Sequence, residues 1–329
     1  MAGQIVVSAN TLTSGIRSEF RGIYRATYSN VAARLAPVME LKVPSDSRTS
    51  LWAYYESSPQ ARLWRDGESI PTDEFGSVQF STENRSWAVR VQWSQDDRED
   101  DQTYSLLERA RDSGRSFAQL DERVFYQLLL NSSDNSLLPA IPLSADGVAL
   151  YSTTDATGGA RFGATNGNLL TGTGVATSAA VRTDAFSAMD QIRSFQDTAG
   201  APLFDPGDLG SFHIFYGVHN DQIFREAFQQ GRTLDGGAAV SNIILESGLK
   251  IVLNATQRIP SGDDDWFLFA EMPGRRKSIF QQERRAIRET MSTWQNSDLA
   301  RETKIEGIQW DSRSGYGIAV PYNTVKINN

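Results

Sequence analysis

The sequence predicts an α+β chain, and three observations carry that class. From Thr103 to Leu130, Leu107, Ala110, Gly114, Phe117, Ala118, Val124, Phe125, Leu128 and Leu129 recur at three- and four-residue steps, the stripe of one long helix. Val78, Phe80, Trp87, Val89, Val91 and Trp93 alternate with polar residues, as strands with one apolar face do. Residues 180–270 mix helical and strand patterns in the manner of a small α/β unit.

Residues 1–50 read as an arm with one amphipathic helix. Thr13 and Ser14 are the expected caps, Ile16, Phe20, Ile23 and Tyr24 the apolar spacing, and Pro37 and Pro44 the end of regularity. Such an arm buries little against itself, so Phe20 and Tyr24 need a neighbouring surface, in this chain or another. Residues 51–95 read as an extended two-stranded excursion turning at Asp66-Gly67. An isolated ribbon is marginal in water, so a hairpin presenting Trp64 and Ile70 needs a surface to rest on.

The helix over 103–130 would be about 40 Å long at about 1.5 Å per residue, a strut by the standards of globular proteins. The acidic run Asp96, Asp97, Glu99, Asp100 and Asp101 precedes it, where a helix N-terminus welcomes negative charge; Asp100 or Asp101 is the expected cap. Asn131 to Asn135 is the stop. Residues 131–181, dense in Gly, Ser, Thr, Ala and Asn, read as a long surface loop with short strands, since Gly158-Gly159 and Gly172-Thr173-Gly174 fit no phosphate-binding pattern. Helices follow at Thr183 to Asp197 and from Asp221 to Gln230, the second capped by Asn220 and stopped by Gly231. Strands are expected at Phe212 to Val218, Asn242 to Leu245, Lys250 to Ala255 and Trp266 to Ala270. The tail is mainly β, with Thr303 to Trp310 and Tyr316 to Val320 alternating.

Composition excludes more chemistry than it suggests. At 329 residues with 40% hydrophobic and 22% charged, the chain can bury a substantial core. With no cysteine and only His213 and His219, thiolate chemistry is absent and histidine catalysis or metal binding has almost no material. The two histidines, on one face of a continuing strand, would lie about 20 Å apart, too far to share an ion. The acidic run and Asp263 to Asp265 lack the order of a calcium loop and read as a helix cap and a turn. No nucleophile elbow occurs. No catalytic residue, cofactor or metal is therefore expected. The formal charge of −8 argues against a surface devoted to phosphates, although a local basic patch fits within it. No apolar run is long enough to span a membrane and no secretory leader is visible, so synthesis in the cytoplasm is expected. Lysine is confined to positions 42, 250, 277, 304 and 326; the remaining cations are arginines, whose planar forks suit carboxylate pairing between subunits.

Several stretches, in order along most of the chain, resemble a known family. Trp52 and Leu63-Trp64 stand ahead of Asp66-Gly67; the Phe80 to Trp93 strand runs into Ser-Gln-Asp-Asp-Arg-Glu-Asp-Asp; Asp197 to Leu203 follows the second helix; Asp265-Trp266-Phe267-Leu268 precedes Ile279 to Arg285; Arg313-Ser314-Gly315-Tyr316-Gly317 closes the series. This order resembles the major capsid (major head subunit) proteins of tailed bacteriophages, the Mu-like head subunit family with the Hong Kong 97 type fold. The resemblance implies an N-terminal arm at 1–50, an extended β-hairpin loop at 51–95, a peripheral domain at 96–180 with its spine helix at 103–130, an axial domain at 181–270, and a return to the peripheral domain at 271–329.

It also implies a non-enzymatic subunit of an icosahedral shell of hexamers and pentamers around double-stranded DNA, which is held non-specifically at most. The shell is assembled in the host bacterial cytoplasm with scaffolding and portal proteins, and with a decoration protein in some shells; no membrane is involved. Arm and hairpin would reach neighbouring subunits, with Arg62, Arg65 and Asp66 in ion pairs there. Relatives that lock their shells use a hairpin lysine; none lies between Leu51 and Trp93, so no such crosslink is expected. The arm begins near Met1, so scaffolding is expected as a separate protein or already removed. An encapsulin-like compartment holding cargo enzymes is the nearest alternative, and a soluble hydrolase or carbohydrate-binding module a more distant one.

Overall fold

The computed structural model describes residues 9–55, 77–94, 96, 105–132, 137–198, 200–204, 210–229, 232–235, 238–241, 249–272, 277–292 and 297–329. In chain order the elements are α1 (Ala9–Leu35), β1 (Met39–Pro44), β2 (Thr49–Tyr55), β3 (Ser77–Glu83), β4 (Arg85–Ser94), α2 (Ser105–Ala118), α3 (Leu120–Leu129), β5 (Leu169–Thr171) and α4 (Ser178–Arg193). Then follow β6 (Ser211–Gly217), α5 (Asp221–Phe228), β7 (Arg232–Asp235), β8 (Ala238–Ser241), β9 (Lys250–Thr256), β10 (Trp266–Ala270), β11 (Ile279–Ser292), α6 (Asp298–Thr303), β12 (Ile305–Ile318) and β13 (Thr324–Asn328).

Strict alternation builds the first sheet, ordered β1-β11-β12-β4. Val91 and Trp93 of β4, Ile308 and Trp310 of β12, and Ile287 and Met291 of β11 turn to one side, where Ile16 and Phe20 of α1 and Leu106 and Ala110 of α2 cover them. The side chains between them, Ser86, Ala88, Arg90 and Gln92 on β4 and Arg288 and Thr290 on β11, stay exposed. Along β4 and the second half of β11 one face is core and the other is solvent, whereas β12 between them is buried over nearly its whole length.

Continuous apolar runs build the second sheet, ordered β5-β13-β10-β6-β9. Every residue of β6 and of β10 is buried, as strands covered on both faces must be. Phe212, Ile214, Tyr216, Trp266 and Leu268 face α4 and α5. Phe215, Phe267 and Phe269 face the other way, onto Val124, Phe125, Leu128 and Leu129 of α3.

Several expectations change. α1 already runs from Ala9, so Thr13 and Ser14 lie inside it and not at its start; its polar opening carries little hydrophobic period to mark that start. The strut is two segments: Gln119, at φ −86 and ψ 2, separates α2 from α3, while Gln119 N–H still donates to Arg115 and its carbonyl accepts from Arg123. The stop behaves as expected, with Asn131 in the left-handed region at φ 49. α4 starts at Ser178, five residues earlier than predicted, because the Thr177 hydroxyl caps it by accepting from Ala180 N–H at 3.2 Å. Asn220 does not cap α5; its amide donates to Asp264 at 2.9 Å. The tail does not stay with one sheet: β11 and β12 join the first, and β13 crosses to pair with β10 and β5. The predicted caps Asp100 and Asp101, the stop Gly231, the strand Asn242 to Leu245 and the Asp66-Gly67 turn lie outside the described residues.

Candidate assembly surfaces

The arm and the hairpin are the parts the sequence leaves needing a surface, and the arm finds one within the chain. α1 lies across α2 so closely that a Cβ added at Gly114 would stand 2.8 Å from the carbonyl oxygen of Phe20. Phe20 stacks on Trp310 with ring centroids 3.8 Å apart and is 1% exposed. The expectation of Phe20 at a subunit contact is corrected: the shallow Gly114 lets its ring reach the sheet. Tyr24 is half-buried, stacked on Tyr28 at 5.4 Å. Arg62, Trp64, Arg65, Asp66 and Ile70 lie outside the described residues.

Where the strut breaks, a buried polar group gathers. Asp121, 5% exposed, accepts from the Tyr316 hydroxyl at 2.5 Å and from the Gln281 amide at 2.9 Å. Burial pushes its pKa up to about 6, against the Tyr316 hydrogen bond and the Lys42 charge, which both pull it down. Lys42, in the left-handed region at φ 59, sits 4.7 Å above the Tyr28 ring. Arg34 of α1 pairs with Glu122 at 2.5 Å, so the arm's far end is tied to the same turn of α3.

The hairpin's base is anchored as firmly. Gln282 accepts from Trp52 Nε1–H at 3.2 Å and donates to the Thr82 carbonyl and the Asn84 side chain, each at 3.0 Å. Asn84 in turn donates to Ser45 and to the Ser47 carbonyl. Phe280 meets Trp52 and Phe80 edge-on at 5.3 and 6.0 Å. A Cβ at Gly315 would fall 2.6 Å from the Glu83 carbonyl oxygen, so the strand beneath must be bare there. Above this base Leu51 is 68% exposed.

Neither histidine forms a reactive group. His213 Nε2 is 3.1 Å from Ser211 Oγ and 3.7 Å from Glu271, so serine and carboxylate share one ring nitrogen and no relay through the ring exists. Burial lowers its pKa. His219 lies beyond the end of β6, 3.2 Å from Asp264. Asp265 pairs with Lys326 at 2.5 Å. Among the described residues no group of three or more His, Cys, Asp or Glu gathers to hold a metal ion, and no helix is long and apolar enough to cross a membrane.

Sequence reasoning missed one structural node. Arg161, 1% exposed within the Gly-rich stretch, donates to Asp146, Ser144, Asn168 and the carbonyls of Ala149 and Leu150. What reads as loose loop is pinned at its centre.

The family profile described as phage capsid protein matches residues 83–327. The chain belongs to that family. A second profile, Mu-like prophage major head subunit gpT, matches residues 12–138 of this capsid protein. Among solved structures it is similar to the capsid of cyanophage P-SCSP1u, with 11% identity over 88% of this chain and 86% of that one and a TM-score of 0.53. The mature capsid of bacteriophage PhiM1 matches at 12% identity over 89% and 85%, TM-score 0.53. A virus-like particle from Pyrococcus furiosus matches at 8% identity over 94% and 98%, TM-score 0.51. No curated protein matches it. The capsid protein thus has the Hong Kong 97 type fold, and it is a major head protein of the tailed-phage kind.

Proposed function

We propose that many copies of this capsid protein close into the icosahedral head shell of a tailed phage, as hexamers and pentamers around double-stranded DNA. The observation that carries the reading is the capsid-family match over 83–327, which runs through both sheets and the strut. In this reading α1, α2 and the four-stranded sheet make the peripheral domain, the five-stranded sheet with α4 and α5 makes the axial domain, and the segment between β2 and β3 is the extended loop. That loop, through Arg62, Trp64, Arg65, Asp66 and Ile70, and the exposed edge of Tyr24 are the proposed contacts to neighbouring copies. Repeated over a closed shell, contacts that are individually weak become strong by number.

The subunit's work in this reading is structural, with no catalytic step; scaffolding and portal proteins, and in some shells a decoration protein, are its proposed partners during assembly in the host cytoplasm. A cargo compartment on the same fold is the second reading; the head-subunit match over 12–138 weighs against it and for the phage head. Negative-stain microscopy with size-exclusion chromatography tests both. Closed shells, tubes or capsomer rings are expected; a monomer or dimer that stays so with scaffold supplied would overturn the proposal, and shells filled with protein instead of DNA would move it to the second reading.

A further inference from the structure

The solvent side of α1 carries a line of positive charge that nothing above uses. Arg17, Arg21 and Arg25 recur every fourth residue, so each stands about 6 Å further along the axis and turns by about 40°. With Ser14, Ser18 and Gly22 they line an open concavity of about 490 Å³. A Cβ at Gly22 would meet nothing within 4 Å, so the floor between the arginines is low and open. The only acid of α1, Glu19, is committed to Arg111 at 2.7 Å. Glu289 of β11, whose side chain is 12% exposed, serves Arg17 and Arg21 together, and Arg25 meets no carboxylate among the described residues. Two guanidinium groups therefore share one largely buried carboxylate and the third, Arg25, has none among the described residues, in a chain whose formal charge is −8.

The face also lacks what a protein partner needs. Of the apolar residues of this stretch, Ile16 and Phe20 are spent on the sheet, Ile23 and Tyr24 are half-buried away from the concavity, and its lining is Arg, Ser and Gly alone. Protein interfaces are built around a desolvated apolar core, whereas phosphate backbones are held by evenly spaced arginine forks on wet, polar surfaces. We propose that the Ser14 to Arg25 face of α1 is a contact for the phosphate backbone of duplex DNA, and hence that the helical side of the four-stranded sheet is the shell's inner wall. The duplex contact stands on this face alone; its assignment to the inner wall rests on the head-shell reading.

The test uses the full chain, held below its assembly concentration, and a fluorescent 30-base-pair duplex. Anisotropy titrations across salt are compared for the unaltered protein, for Arg21→Gln/Arg25→Gln, and for Arg90→Gln on the sheet's open face. The double variant is expected to bind at least 10-fold more weakly at low salt, with the slope of log affinity against log salt reduced by about 2, near 0.9 per phosphate released. Arg90→Gln is expected to change neither. A slope unchanged in a double variant that keeps its helical circular dichroism overturns the contact, as does tighter binding of poly-glutamate than of duplex, which would assign the face to an acidic protein. Shells seen by microscopy alongside an unchanged slope sink this inference and leave the head reading standing; a reduced slope without shells does the reverse.

Discussion

The two sheets of this capsid protein are built by opposite rules. β6 and β10 read Ser-Phe-His-Ile-Phe-Tyr-Gly and Trp-Phe-Leu-Phe-Ala, and every one of those side chains is buried. β4 and the second half of β11 alternate, and half their side chains stay in water. A sheet sealed on both faces has spent its surface on its own chain; a sheet covered on one face keeps a polar side and long edges free for other molecules. The five-stranded sheet is therefore where the subunit is held together, and the four-stranded sheet with its arm and hairpin is where it has surface left to offer.

The sharpest way to break this comparison is to cut the layer between the two sheets' helical supports. Phe125 is fully buried on α3, with ring contacts to Phe215 at 5.3 Å and Phe269 at 5.8 Å. Phe125→Ala should cost about 3–5 kcal/mol, the range for emptying a well-packed aromatic site. Urea denaturation should show both sheets lost in one transition. Two separated transitions would mean the sheets are independent units.

A smaller effect lies at the strut's break, and it depends on pH. Asp121 titrates near pH 6 in the folded chain, above the ordinary carboxylate value near 4, so the folded state binds its proton more tightly than the unfolded one. Stability attributable to this group is fully present below about pH 4 and is lost as pH rises through about 6. Across that window the contribution should be on the order of 2 to 3 kcal/mol. Asp121→Asn should flatten that part of the profile measured by thermal melts between pH 4 and 7; an unaltered profile would show that Asp121 is solvated and that the cluster is looser than described.

Gly114→Ala comes next, at about 1–3 kcal/mol, because the added methyl meets backbone and not a flexible side-chain end. Its effect should be local: faster proteolysis or hydrogen exchange in α1, with β6 and β10 still protected. Equal loss of protection in both sheets would count against the division of labour. The smallest change is Arg48→Ala at the hairpin base. Its ion pair with Glu83 is 3.0 Å long but 77% and 46% exposed, so melts should move by no more than about 0–1 kcal/mol.

How much of this was legible follows from what each residue reports. The buried strands announce themselves by composition, and β10 was placed at Trp266 to Ala270 from five consecutive apolar residues. The one-sided strands announce themselves by period. Partners separated by long stretches of chain leave no such mark: nothing in Thr-Val-Lys-Ile-Asn says that β13 leaves β12 and inserts beside β10. Arg161 was invisible because a buried arginine among glycines has neither period nor apolar neighbours to betray it. The break at Gln119 hid for the reverse reason, since Ala118 and Leu120 on either side keep the helical rhythm. Phe20 was legible as a residue in need of a surface, but sequence could not say that the surface was Trp310 of the same chain, because only the bare Gly114 across the helix crossing permits it.

The divided strut has a mechanical consequence. α2 packs on the four-stranded sheet and on α1, while α3 packs between the five-stranded sheet and the Ile279 and Tyr316 to Ile318 end of the four-stranded one, and Gln119 joins the two segments along the axis. A rod transmits force without changing shape, whereas two rods on a one-residue joint also transmit torque as an angle. Gln119 sits at that joint, and its side chain accepts from Arg258, just past β9 of the five-stranded sheet, at 3.2 Å. That contact braces the joint together with the Arg34–Glu122 pair and the Asp121 hydrogen bonds to Tyr316 and Gln281, so the angle between the two rods is held from three sides.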